Sequence, residues 1–185
     1  MEDLEELVKK IEAEMPSVDF SEEFSIHKIS PEYVEYMLYP NSYYRAFAVM
    51  IKMFGYKKII EVGTQDGASA IALSKHAELV TTYDIGDLGK FINSNDKIEK
   101  IKLGNSMDCI NLDYDSYDLV FIDIDHAGIV EPLIHQKLSK EYKGFVLYDD
   151  IFINDQMKSF WSSINNNKIE TDWHNGVDFG LVEYI

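Results

Sequence analysis

The sequence predicts an α/β fold, a mostly parallel sheet with helices on both faces. Three observations support this prediction. From residue 57 onward, short apolar runs alternate with helix-like runs, which is the pattern of parallel strands joined by helical crossovers. Five successive predicted strands end in polar or acidic residues. The last two predicted strands are joined by HNGVD, a link that suits an antiparallel hairpin and is too short for a parallel crossover.

The chain is predicted to form one domain over residues 1–185, because no linker, repeat or low-complexity segment divides it. Residues 1–56 are expected to be a helical extension that caps an α/β core of residues 57–185. The predicted helices of this extension run from Leu4 to about Pro16, from Pro31 to about Pro40 and from Ser42 to Gly55, with an irregular segment at 17–29.

The predicted core elements follow one another in a regular order. Each strand is a short apolar run, and each helix shows helical spacing of its apolar residues. The predicted strands are KKIIEVG, ELVTTYDIG, KIEKIKLGN, YDLVFIDID, GFVLYDDI, KIETDW and FGLVEYI, and the predicted helices are ASAIALSKHA, VEPLIHQKLSKEY and DQMKSFWSSINN.

The composition narrows the classes of partner. The formal net charge of −16 disfavours nucleic acid and anionic membranes, and favours cationic or neutral small molecules, although part of the charge could simply reflect a solvated surface. The single cysteine, Cys109, excludes an internal disulfide and fits the reducing cytoplasm. We therefore expect a cytoplasmic protein with a small-molecule substrate. The amphipathic first helix could pack on its own domain or on a partner, so a homodimer is possible.

The segment EVGTQDG joins the first predicted core strand to the following helix. Gly63 and Gly67 allow a tight turn and close approach of a ligand to the main chain. The dinucleotide fingerprint and the P-loop both fail here, because the glycine spacing differs and no Gly-Lys-Ser/Thr follows. Asp66 would also repel a pyrophosphate. Asp84, at the end of the next strand, is placed to accept the hydroxyls of a ribose.

A second group of acids follows the fourth and fifth predicted strands. Converging carboxylates repel one another, which raises their pKa values or recruits a divalent cation such as Mg²⁺. His126 follows these acids directly and is a candidate general base. The acids are Asp123, Asp125, Asp149 and Asp150.

These motifs resemble the class I S-adenosylmethionine-dependent methyltransferases. The form glutamate-x-glycine-x-x-x-glycine matches EVGTQDG, and YYRAFAVMIKMFGYKKIIEVGTQDGASAIAL, DLVFIDIDH and GFVLYDDI look like segments of the catechol and caffeoyl-CoA type of O-methyltransferase. Antibiotic-sugar O-methyltransferases and proteins labelled cephalosporin hydroxylase share similar segments. The resemblance covers most of residues 43–185 and implies a Rossmann-like, seven-stranded sheet whose last strand is antiparallel.

The resemblance also implies a set of site residues. Asp123, Asp149 and Asp150 match the acids that bind a divalent cation in the metal-dependent members, with Asp125 as an alternative or additional ligand. Two departures are Gln65, where many members have glycine, and HAGIVEP, which replaces a lysine- and tyrosine-containing stretch. The implied cofactor-binding residues are Glu61, Gly63, Thr64, Gln65, Asp66, Gly67, Ser69, Asp84, Asn105, Ser106 and Asp123.

The predicted function is S-adenosylmethionine-dependent O-methylation of a small hydroxylated molecule, assisted by a divalent cation. His126 and Asp123 are the predicted catalytic residues. Two alternatives use the same sheet: another Rossmann-like enzyme, either a nucleotide-sugar oxidoreductase or an aminopropyl transferase, and a non-catalytic nucleoside-binding protein. The missing third glycine argues against the oxidoreductase.

Overall fold

The computed structural model describes residues 3–86, 88–93, 96–124, 126–174 and 177–185. Its described strands form one sheet in the order β3-β2-β1-β4-β5-β7-β6. The strands are β1 (Lys58–Val62), β2 (Leu79–Asp84), β3 (Ile98–Lys102), β4 (Leu119–Ile122), β5 (Gly144–Tyr148), β6 (Asn167–His174) and β7 (Val177–Tyr184).

The pairing pattern confirms the predicted fold class. The pairs β3-β2, β2-β1, β1-β4 and β4-β5 are parallel, and β7 is antiparallel to both β5 and β6. The strand order reverses between β1 and β4, and in open parallel sheets this switch point is where ligands bind beyond the carboxyl ends of the strands. The ends of β1 and β4, with their neighbours β2 and β5, therefore surround the expected crevice.

The helices cover both faces of the sheet. Alternate residues of β1 point to opposite faces: Ile59 packs in the core that contains α1, α4 and α5, whereas Ile60 packs in the core that contains α6 and α7. The helices are α1 (Leu4–Glu14), α2 (Ser21–Ile26), α3 (Pro31–Leu38), α4 (Tyr43–Phe54), α5 (Ala68–Ser74), α6 (Val130–Glu141) and α7 (Asp155–Ser163).

The N-terminal extension differs from the prediction in one segment. Residues 17–29 were expected to be irregular, but Ser21–Ile26 form α2. Phe20, just before α2, is fully buried, and its ring lies 6.2 Å from that of Phe24. This packing holds a six-residue polar helix that its own sequence would not stabilise alone, because isolated helices of this length are unstable in water.

Arg45 on α4 fastens this extension together. Its guanidinium donates hydrogen bonds to the carbonyl oxygens of Met15 at 3.0 Å, Val18 at 2.7 Å, Met37 at 3.2 Å and Leu38 at 3.1 Å. Met15 and Val18 lie at the two ends of the first 3₁₀ helix, and Met37 and Leu38 lie at the end of α3, so Arg45 joins both segments to α4. Arg45 thus has a structural role.

None of the described helices has the length and apolar content required to cross a membrane.

Candidate functional site

The glycine loop lies against the end of β4. Gly63 has φ of +106°, and a Cβ atom at this position would lie 1.6 Å from the main-chain oxygen of Asp123. Gly67 has φ of +90° and stands at the N-terminus of α5. Only glycine fits at position 63, because any side chain there would collide with a backbone that cannot move aside. The two glycines therefore bring bare main chain to the switch point of the sheet.

Asp84 at the end of β2 holds this loop in place. One carboxylate oxygen, Oδ2, accepts hydrogen bonds from the N–H groups of Thr64 at 2.9 Å and Gln65 at 2.8 Å, and Oδ1 accepts one from Gly86 at 2.8 Å. Burial alone would raise the pKa of Asp84, but these N–H donors outweigh burial and lower it. An ionised carboxylate thus lies beside the loop.

A buried polar chain supports the loop from below. Glu61 on β1 is inaccessible to solvent, and burial raises its pKa to about 8. Its Oε2 accepts a hydrogen bond from the hydroxyl of Thr82, which in turn lies 2.6 Å from the hydroxyl of Thr64. The hydroxyls of Ser69 and Thr82 lower the pKa of Glu61, but burial outweighs them. Glu61 is thus a carboxyl group that the fold keeps protonated near neutral pH.

A small pocket of about 190 Å³ opens beside Asp84. Its walls are largely apolar, and Ser106 at the start of a 3₁₀ helix contributes a hydroxyl. Such a slot has the shape and polarity to receive a flat heterocycle next to a group held by Asp84. The lining residues are Val62, Gly63, Tyr83, Asp84, Ile85, Leu103, Ser106, Cys109, Asp123 and Ile124.

A larger cavity of about 700 Å³ adjoins the small pocket, and the two share Gly63, Asp84, Asp123 and Ile124. Tyrosines from α3 and α4 form one wall, and carboxylates from the strand ends form the other. The remaining lining residues are Glu32, Tyr33, Tyr36, Tyr43, Tyr44, Gln65, Asp66, His126, Asp149 and Asp150.

The acids after β4 and β5 lie around His126. Its Nε2 lies 3.2 Å from Oδ1 of Asp123 and 3.5 Å from Oδ2 of Asp150. Burial lowers the pKa of His126, but the two carboxylates and Asp149 outweigh burial, so the net shift is upward. Asp149 is half-buried, and burial together with the charges of Asp123 and Asp150 raises its pKa well above the ordinary value. The carboxylates of the cluster therefore repel one another, and the imidazole of His126 partly reduces this repulsion.

Strained backbone concentrates at this cavity. Gln65, His126 and Asp150 have φ of +43°, +54° and +52°, and they are the non-glycine residues with positive φ among those that the structure describes. All three line the large cavity. Such conformations cost on the order of 1–2 kcal/mol each and persist mainly where a site requires them. The left-handed backbone of Gln65 is one that glycine adopts without strain.

The structure brings most of the sequence-predicted residues to one edge of the sheet. Gly63, Gln65, Asp66, Asp84, Ser106, Asp123, His126, Asp149 and Asp150 line one or both cavities. Glu61, Thr64, Gly67, Ser69 and Asn105 do not line either cavity; they support the loop, the start of α5 or the 3₁₀ helix.

Three of the four predicted metal ligands, Asp123, Asp149 and Asp150, line the large cavity. Asp125 lies outside the described residues. Within the described ranges, no group of three or more His, Cys, Asp or Glu has the geometry to hold a metal ion.

The sequence predicted that the N-terminal helices would shape the acceptor pocket, but no residue of α3 was among the predicted site residues. Tyr33 donates a hydrogen bond from its hydroxyl to Oε1 of Gln65 at 3.2 Å, which joins α3 to the glycine loop. Glu32 and Tyr36 of the same helix also line the cavity. Nothing in the local sequence PEYVEYML indicates this placement, because it depends on how α3 packs across the sheet edge. A separate cavity of about 550 Å³ between the extension and α5 contains none of the predicted site residues.

Comparison with solved structures identifies the same arrangement of elements elsewhere. The SAH-bound methyltransferase PaMTH1 from Podospora anserina is 14% identical, with a TM-score of 0.61, and the alignment covers 100% of this chain and 98% of that one. The O-methyltransferase from Bacillus cereus in complex with SAH is 18% identical, with a TM-score of 0.58 and coverage of 94% and 90%. The O-methyltransferase TomG from Streptomyces achromogenes, involved in tomaymycin synthesis and solved with SAM, is 16% identical, with a TM-score of 0.57 and coverage of 94% and 99%.

No protein-family model matches the sequence, and no curated protein matches it. At these identities, the similarity to solved structures concerns the fold. The chain has the fold of the class I S-adenosylmethionine-dependent methyltransferases, as its sequence motifs predicted.

Proposed function

We propose that this protein is an S-adenosylmethionine-dependent methyltransferase that acts on a hydroxyl group of a small molecule. One observation carries the proposal. The glycine loop, the carboxylate of Asp84 and the small apolar pocket meet at the switch point of the sheet, and they adjoin the larger cavity, which has room for a small-molecule acceptor. The similar folds of proteins described as O-methyltransferases in complex with SAM or SAH support it.

The proposed cofactor position follows from the two adjoining cavities. The small apolar pocket would receive the adenine, and Asp84 would accept the ribose hydroxyls beside it. The sulfonium and its methyl group would then lie at the boundary that Gly63 and Asp123 share between the two cavities. The negative carboxylates at that boundary would stabilise the positive charge of the S-adenosylmethionine sulfonium.

The chemistry is a displacement at the methyl carbon. The acceptor oxygen attacks this carbon with an electron pair, the carbon–sulfur bond breaks, and its electrons return to sulfur, which becomes a neutral thioether. The hydroxyl proton leaves to a base. The protein mainly holds the reactants in line and excludes water, which can contribute several kcal/mol to rate acceleration.

His126 is the proposed base, and Asp123 positions it. The ring lies in the large cavity, with Nε2 held between Asp123 and Asp150. The main-chain oxygen of His126 accepts a hydrogen bond from the side chain of Asn154 at 2.7 Å, which fixes the strained backbone at this residue. In this arrangement Nε2 is engaged by the carboxylates and Nδ1 is buried, so the imidazole would accept a proton from a bound hydroxyl only after Nε2 leaves Asp123 and Asp150.

The acids around His126 offer the ligand type that a divalent cation requires, although the described residues form no ready coordination shell. Asp123, Asp149 and Asp150 offer hard oxygen atoms. Burial raises the pKa of Asp149, and the charges of Asp123 and Asp150 raise it further, a repulsion that a cation would relieve. A cation such as Mg²⁺ would lower the pKa of a bound hydroxyl. His126 would give up its contacts with Asp123 and Asp150 when these carboxylates bind a cation, and its ring nitrogen would then be available to the acceptor.

Calorimetric titration with S-adenosylhomocysteine, abbreviated SAH, tests the proposal. We expect saturable binding at one site per chain. Asp84→Asn should weaken binding about tenfold or more, because a charged hydrogen-bond acceptor is lost. Asp96→Asn is the matched control, since Asp96 is exposed and lines neither cavity. Absence of SAH binding by the folded wild type would exclude the proposed function.

Aminopropyl transfer is a second candidate, because the acidic and tyrosine-lined cavity would also suit a polyamine acceptor. The two activities use different donors. Turnover with decarboxylated S-adenosylmethionine and none with S-adenosylmethionine would favour aminopropyl transfer.

A further inference from the structure

The charge of the acceptor cavity is strongly one-sided. Six carboxylate residues line it, and its lining residues include neither lysine nor arginine. His126 contributes an imidazole that lies against two of the carboxylates. A concave, partly buried surface of one sign concentrates ligands of the opposite sign. The lining acids are Glu32, Asp66, Asp84, Asp123, Asp149 and Asp150.

Most of these acids already have partners. Asp66 pairs with Nζ of Lys90 at 2.8 Å, and Asp84 accepts the N–H groups of the glycine loop. Asp149 accepts the N–H of Asp150 at 2.9 Å. Glu32 differs from them, because no hydrogen bond or ion pair to it is found among the described residues. Its carboxylate is therefore the one that a bound acceptor would meet without displacing an existing partner.

Aromatic rings lie next to Glu32 on the same helix. The rings of Tyr33 and Tyr36 are 6.4 Å apart with an interplanar angle of 78°, and both line the cavity. Tyr33 is fixed further by its hydrogen bond to Gln65 and by an edge contact with Phe91 at 5.2 Å. Tyrosine faces attract cations, and an ammonium can lie over such rings while a carboxylate faces it.

We propose that the acceptor of this methyltransferase carries a protonated amine, which lies over Tyr33 and Tyr36 and faces Glu32 at the rim of the cavity. The inference rests on the proposed function, and it names the class of substrate. It also predicts weaker binding of acceptors that carry a carboxylate or a phosphate in place of the amine, because the carboxylate of Glu32 would repel them.

A series of small molecules with one scaffold and different charge tests this inference. The protein is first saturated with SAH in the presence of Mg²⁺, and dissociation constants are then measured for 3,4-dihydroxybenzylamine, 3,4-dihydroxybenzyl alcohol and 3,4-dihydroxyphenylacetate. Glucosamine, glucose and glucuronate form a second series with a different ring. We expect the amine of at least one series to bind about tenfold or more tightly than the matching acid. This preference should weaken as sodium chloride rises from 0.05 to about 0.5 M.

The variant Glu32→Gln tests whether Glu32 causes the preference for the amine. We expect it to weaken binding of the amine about three- to fivefold, the scale of one exposed ion pair, and to leave the neutral alcohol unchanged. Glu35→Gln is the matched control, because Glu35 lies on the same helix, is exposed and does not line the cavity. It should leave all affinities unchanged.

The outcomes separate this inference from the proposed function. Failure of SAH to bind removes both. If SAH binds and the acid binds as tightly as the amine in both series, the charge inference is wrong and the methyltransferase proposal stands. The same holds if neither amine binds to SAH-saturated protein, or if Glu32→Gln and Glu35→Gln weaken the amine equally.

Discussion

Replacement of Glu61 by glutamine should change how stability depends on pH. Glu61 is inaccessible to solvent, and burial raises its pKa to about 8 from 4.5. The pKa of Glu61 is higher in the folded protein than in the unfolded chain. At a pH between these two pKa values, the folded protein therefore keeps a proton on Glu61 that the unfolded chain releases. The free energy of unfolding contributed by this group is therefore fully present below pH 4.5 and is lost as pH rises toward 8.

The size of the effect follows from the two pKa values. With 4.5 for the unfolded chain and about 8 for the native protein, linkage gives a loss of about 3 kcal/mol between pH 5.5 and pH 8.5. Glutamine has nearly the same shape as protonated glutamate and does not ionise. Glu61→Gln should therefore lose about 3 kcal/mol less than the wild type over this range.

Urea denaturation at pH 5.5, 7 and 8.5 measures this difference, and the buried Trp161 and Trp173 provide the fluorescence signal. The comparison between variant and wild type cancels the contributions of other titrating groups. Glu99→Gln is the matched control, because Glu99 lies on β3 and is exposed. It should follow the wild type. Parallel pH profiles for Glu61→Gln and wild type would refute the reasoning that burial keeps this carboxyl protonated.

Three further predictions concern the loop, the extension and the acids. Gly63→Ala should destabilise the protein by more than about 3 kcal/mol in thermal unfolding, because the added Cβ has no space. Gly55→Ala is the control and should cost only about 1–2 kcal/mol, because Gly55 has φ of +68° but open space around it. Equal losses for the two variants would contradict this prediction. Arg45→Met should lower the free energy of unfolding, measured in urea, by about 2–4 kcal/mol, because it leaves carbonyl groups unpaired. The affinity for SAH, measured by calorimetry, should change less than twofold. A large loss of affinity would place Arg45 in the site. Asp150→Asn should abolish the stimulation of methyl transfer by Mg²⁺ in a radiolabel assay, and it should leave the affinity for SAH within about threefold of the wild type. Unchanged stimulation would leave Asp150 only a structural role.

The sheet was predictable because its signals are local. The buried strands β1, β4 and β5 are apolar runs bounded by turns, and the link HNGVD is too short for anything except a hairpin between β6 and β7. The acids that end these strands were expected at one edge because parallel strands share that edge. This rule predicts that Asp84, Asp123 and Asp149 lie together, and all three line the large cavity.

Other features depend on contacts between distant parts of the chain and could not be predicted in this way. Helix α2 has only six residues and depends on the burial of Phe20. The bond between Tyr33 and Gln65 spans 32 residues, so the helix wall of the acceptor cavity left no local pattern. Glu61 was predicted to bind the cofactor, and its raised pKa depends on burial under the loop, which the local sequence does not indicate.

A crystal structure of the protein soaked or grown with SAH tests the central claim most directly. The account predicts that the adenine lies in the small pocket beside Leu103 and Ser106, that the ribose hydroxyls lie within hydrogen-bond distance of Asp84, and that the sulfur faces the large cavity at Gly63. SAH bound in the separate cavity near Lys75 instead, with the carboxyl edge of the sheet empty, would contradict the account.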